Sequence, residues 1–177
     1  MAGSLIKIDE EIVTSAVASV TLGGSDWDSS YDVYMVRFSN VLGTSEPTNF
    51  SYRMTESGTA NSTSNYDFAF KELKATTAFS NRSSTNQNRA FFNQSSGSTA
   101  TQDTQQGILY IFNANNASEY TFTTFETVFG NASGGALQGS QGGGVFTVTS
   151  AVDGIQFFQD SGNIASGQFV LYGLKKA

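Results

Sequence analysis

The chain has 177 residues, a formal net charge of −6, no His, no Cys and a single Pro, Pro47. It therefore lacks the imidazole and the thiolate on which most enzymes rely near neutral pH, and disulfides and thiolate metal sites are excluded. An acidic chain whose adjacent basic residues are confined to Lys175–Lys176 is a poor partner for nucleic acid, and no run approaches the ~18–20 apolar residues of a membrane helix.

Met1 to Glu11 (MAGSLIKIDEE) has neither the basic start nor the apolar centre of a secretory signal, so synthesis in the cytoplasm is expected, with no address of the chain's own. Ile12 to Leu22 fits a first strand, and Gly23 to Ser30 (GGSDWDSS) is turn chemistry. Tyr31 to Phe38 is apolar on both faces, as an interior strand requires. Phe50, Tyr52 and Met54 then alternate with Ser51, Arg53 and Thr55, and Tyr66, Phe68 and Phe70 with Asp67, Ala69 and Lys71. This period of two marks half-buried strands. Ala69 to Ala78 carries the helix formers KELKA but continues the strand pattern, and reads as strand with a short helical turn. Asn81 to Gln106 is nearly all polar. Its Phe91–Phe92 pair predicts a loop pinned to the body or paired as an edge strand.

Ile108 to Phe112 and Tyr120 to Phe129 are the next strands, separated by the Asn113 to Ser118 turn. Asn131 to Gly144 is rich in glycine. Its Gly139 to Gly144 stretch lacks the Lys and Ser/Thr of a phosphate loop and is expected to be a flexible connection. Val145 to Thr149 and Gly154 to Phe158 flank Asp153–Gly154, a tight-hairpin signal. Phe169 to Leu174 closes the series. Eight to ten short strands predict an all-β fold: an antiparallel β-sandwich, jelly-roll-like, with residues 1–177 as a single domain.

The chemistry-bearing residues are few. Asp9, Glu10 and Glu11 sit together, and Asp26, Asp28 and Asp32 cluster around Trp27. A glycosidase needs two carboxyls about 5–10 Å apart across a cleft, and no spacing here shows such a pair. Asp26–Trp27–Asp28 also suits an oxygen-rich calcium loop with an aromatic sugar platform. The plainer reading has the two Asp residues capping a turn while Trp27 packs on the sandwich rim. Trp27 and Asp28 are accordingly the candidate glycan contacts. No Ser lies in a G-x-S-x-G elbow and no His could activate one, so no catalytic, cofactor or metal residue is assigned and no enzyme is expected. N-x-S/T triplets at Asn49, Asn61, Asn81, Asn93, Asn116 and Asn131 are expected by chance in so Ser/Thr-rich a chain.

Ile6 to Leu22 (IKIDEEIVTSAVASVTL), Tyr31 to Met35 (YDVYM), Gly142 to Ser150 (GGGVFTVTS) and above all Gly162 to Lys176 (GNIASGQFVLYGLKK) resemble a family of small virion proteins of marine tailed phages, mostly of cyanobacteria-infecting type. The Gly23 to Ser30 turn is longer than that family's pattern. The resemblance implies a β-sandwich on the phage particle, found as a stand-alone virion protein or at a fibre tip, with no catalytic residues to carry over. The expectation is a virion structural protein made in the host cytoplasm and displayed on the virion surface: a capsid decoration or knob-like protein, homo-oligomeric and most readily a trimer, bound to other capsid or tail proteins. The first strand with its acidic start and the C-terminal strand are the candidate attachments. The alternative is a receptor- or glycan-binding tail or fibre-tip domain that contacts a host surface glycan.

Overall fold

The computed structural model describes residues 4–76, 78–94, 98–130 and 136–174. Their strands are β1 (Leu5–Val13), β2 (Ser19–Gly23), β3 (Val33–Gly43), β4 (Phe50–Glu56), β5 (Thr59–Ala60), β6 (Tyr66–Lys74), β7 (Phe79–Gln87), β8 (Ala90–Phe91), β9 (Gln105–Phe112), β10 (Thr121–Gly130), β11 (Leu137–Phe146), β12 (Gly154–Gln159) and β13 (Ile164–Leu174). All pairings are antiparallel. One sheet has eight strands in the order β1-β13-β3-β9-β10-β11-β6-β7; the other runs β2-β12-β4-β5, with β8 also on β4.

This is a jelly roll with an extension. The half-sheet β1-β13-β3-β9 faces β2-β12-β4-β8, and the chain alternates between the two as a double Greek key does. The hairpins β6–β7 and β10–β11 are inserted into that path. They join each other through β11–β6 and lengthen the larger sheet beyond β9. The roll itself uses eight strands, and the additions bring the described residues to the strands named above.

Alternation drives this arrangement. In β6, Tyr66, Phe68, Phe70 and Glu72 are buried while the residues between them are not. A single hydrophobic cluster joins both sheets, with Phe50, Tyr52 and Phe157 from one meeting Phe38, Phe125 and Phe169 from the other. Phe92, fully buried, stands within 5.0–5.2 Å of the rings of Phe38, Phe50, Tyr52 and Phe125. The polar segment from Asn81 is thus pinned where expected, and β7 is one of the two edge strands of the larger sheet. The Tyr52 hydroxyl and Thr123 Oγ1 share a hydrogen bond of 2.7 Å between the sheets.

Four expectations change. The segment read as one strand from Ile12 to Leu22 is broken between β1 and β2, because the chain there leaves one sheet for the other; Val17 bridges Ile164 at the crossing. Ala69 to Lys74 continues β6, and no helical turn occurs among the described residues to Ala78. Gly139 to Gly144 is no flexible connection but the middle of β11, paired on both sides. A Cβ at Gly142 would stand 2.3 Å from the Ala69 carbonyl oxygen, and one at Gly143 2.3 Å from that of Thr123, so the close approach of the flanking strands demands glycine. Asp153–Gly154 makes no hairpin either, since β11 and β12 lie in different sheets. The Asp153 carboxylate instead accepts from the Thr55 hydroxyl and the Gly58 N–H, both at 2.7 Å, and its carbonyl accepts from the Gly24 N–H at 2.8 Å.

Candidate functional site

Two places can carry function: the Trp27 turn singled out by composition, and the solvent face of the eight-stranded sheet.

A 3-10 turn over Gly24–Asp26 lifts Trp27 onto the rim. Its indole stacks on Tyr34 with centroids 3.9 Å apart, and its Nε1–H donates to Asn115 Oδ1 at 2.9 Å. The Asn115 amide nitrogen donates to the Tyr31 carbonyl at 2.7 Å and to the Tyr34 hydroxyl oxygen at 2.6 Å. The Tyr34 hydroxyl donates in turn to the Asp28 carbonyl at 2.6 Å. The Asp28 carboxylate accepts the Ser30 N–H at 2.9 Å, and that bond holds its pKa below the ordinary value. Trp27 and Asp28 are therefore brought together, but into a closed network in which the indole N–H and one ring face are committed to the protein. A partly open cavity of about 320 Å³ lies beside this network, against Tyr31, Asp32 and Asn115. No sequence motif marks Asn115. Only its place in an Asn-rich turn hinted at it.

The second place comes from register. Side chains alternate across a strand, so the pairings assign each residue to one face of the sheet. Every exposed large hydrophobic side chain among the described residues, Ile6 and Tyr120 excepted, falls on the outer face of the larger sheet. Ile108 and Tyr110 of β9 and Phe122 and Val128 of β10 form its centre. Met35 and Val170 share this face and are buried by their neighbours without belonging to the core between the sheets. A shallow cavity of about 490 Å³ lies over Arg37, Ile108, Glu126 and Val128, and another of about 350 Å³ over Tyr110, Thr124, Glu126 and Gln141. Charge here is sparse. Arg37 bonds to Gln168 Oε1 at 3.2 Å and Glu126 accepts from Gln141 at 2.7 Å, so each meets a neutral amide. Alternation within single strands hinted at these residues, but only the strand order puts them on one surface.

The candidate attachment strands lie side by side: β1 is the edge of the larger sheet opposite β7, and β13 is its neighbour. Glu10 accepts from Lys7 at 2.9 Å and from Gln168 at 2.6 Å, and the Lys7 bond foremost lowers its pKa. Lys175, Lys176 and Asn131 lie outside the described residues. Among the described residues no group of three or more acidic side chains could hold a metal ion, and no helix is long and apolar enough to cross a membrane.

No protein-family model matches the chain, and no curated protein matches it significantly. A solved structure, a fructofuranosidase from Schwanniomyces occidentalis complexed with fructosylnystose, aligns with 98% of this chain at 7% identity and a TM-score of 0.25. The chain spans 34% of that protein, and a likeness of this grade carries no argument about fold or activity.

Proposed function

We propose that this chain is a structural protein of a tailed-phage particle, exposed on the virion surface as a capsid decoration or knob-like protein and held there as a homo-oligomer by protein surfaces rather than by chemistry. One observation supports this best: the exposed large apolar side chains gather on one sheet face. Soluble monomers rarely leave such a patch uncovered, and a face of Tyr, Phe, Ile and Val with few charges has the composition of an interface centre. The jelly-roll body supplies rigidity without disulfides, and the sequence resemblance supports a place on the particle. The other partners proposed are capsid or tail proteins, with no role for nucleic acid, membrane insertion, cofactor or catalysis.

Immunogold labelling of purified particles tests the reading. Label on capsid faces, tail or fibre tips is expected, and particles that take no label refute it. A second reading, contact with a host glycan, draws on Tyr110, whose exposed ring stands beside Thr124, Glu126 and Gln141 over an open cavity. Glycan-array binding that Tyr110→Ala abolishes would favour it.

A further inference from the structure

The outer face of the larger sheet is complementary to itself. We propose that it packs against the same face of a second copy about a two-fold axis running along β9; this rests on the assembly reading above and names its partner.

The argument follows one line across the strands. In register with Ile108 of β9 lie Arg37 on one side and Glu126 on the other. One strand further out are Val170 and Gln141, and beyond them Glu10 and Lys71. Charge thus changes sign on reflection through Ile108. A two-fold axis along β9 sets β3 of one copy over β10 of the other, so Arg37 meets Glu126 of the second copy and the reverse contact forms by symmetry. Among the described residues neither side chain has a salt-bridge partner within its own chain. The same operation sets Glu10 over Lys71.

Shape agrees with charge. Tyr172 of β13 comes over Gly143 of β11, where no side chain fills the space. Val33 comes over Phe122, and Ile108 and Tyr110 lie on the axis against their own copies. Seven strands at ~4.8 Å and four same-face rows at ~6.8 Å cover about 900 Å², against about 800 Å² per partner in a specific interface. The association is two-fold, where the sequence reading expects a trimer.

Sedimentation of the purified full chain tests this. A dimer is expected. Arg37→Glu and Glu126→Arg should each weaken it at least ten-fold, by placing like charges together, and the double variant should restore it. Both side chains are exposed, and circular dichroism checks that each variant folds. In this Cys-free chain, Ile108→Cys on the axis should yield a covalent dimer with a short bis-maleimide, while Phe79→Cys on the outermost strand should not. A monomer at all concentrations, a trimer indifferent to Arg37→Glu, a double variant without rescue, or a monomer that binds glycan through Tyr110 would each overturn the proposal. A rescued dimer with unlabelled particles would refute the virion reading alone. Labelled particles whose purified protein is monomeric would refute the two-fold contact alone.

Discussion

Asn115 shows how much one amide can organise. It receives the Trp27 indole N–H and donates to Tyr31 and Tyr34, linking the turn after β2 to the loop after β9. Removing it strands polar groups of a half-buried network, and each such loss costs about 1–3 kcal/mol. Asn115→Ala is expected to lower stability by about 2–3 kcal/mol in urea denaturation. Trp27→Ala should lower it by about 2 kcal/mol, less than the full cost of a buried Trp because this ring is partly exposed. If Trp27 instead served a ligand, its removal would leave the urea midpoint unchanged. Composition singled out Trp27 and its turn. It could not single out Asn115, because nothing separates one Asn among many until the fold brings residues 27, 34 and 115 together.

At the scale of elements, the strands with large alternating side chains were legible and the glycine strand was not. β6 announces itself through Tyr66, Phe68 and Phe70 because a period of two puts one face in the core. β11 has no such pattern over Gly142 to Gly144, and its identity comes from neighbours that close on it from both sides. Gly142→Ala should therefore cost about 2–3 kcal/mol, since the new methyl meets Ala69 and Phe70 backbone and the sheet has to part. Gly24→Ala faces open space and carries only the strain of its φ of +65°, about 1 kcal/mol. Equal urea midpoints for the two variants would refute the tight β10–β11–β6 seam. The Asp153–Gly154 signal failed for a related reason: turn chemistry is local, and it cannot reveal that the chain is changing sheets.

For the whole molecule, one apolar cluster shared by both sheets predicts one cooperative thermal transition by calorimetry. Its pH dependence has two limbs. Asp28, Glu46 and Glu10 have pKa values below their ordinary ones, held there foremost by the Ser30 backbone N–H, the Thr99 backbone N–H and the Lys7 hydrogen bond respectively. Their stabilisation is complete above the ordinary carboxylate range and is lost as pH falls through the folded values. Burial raises the Tyr52 and Tyr66 phenols above 10.0, so their contribution is present below pH 10 and is lost above it as the unfolded chain ionises. The melting temperature should be flat between about pH 5 and 9 and fall on both sides. Tyr52→Phe should soften the alkaline fall. A melting temperature still level at pH 11 would contradict the buried placement of both rings.

Composition and periodicity suffice for the fold class: period-two aromatics require half-buried strands, and the lack of His and Cys removes the commonest catalytic groups. Periodicity also marks most strands, because burial on one face leaves a trace in consecutive residues. Strand neighbourhood emerges only in the folded chain, and with it that β11 is a strand at all, that Trp27 is held in a closed network, and that Arg37, Ile108 and Glu126 lie in one row. Pairing between distant segments follows from the packing of the whole core, and no local window of residues records it.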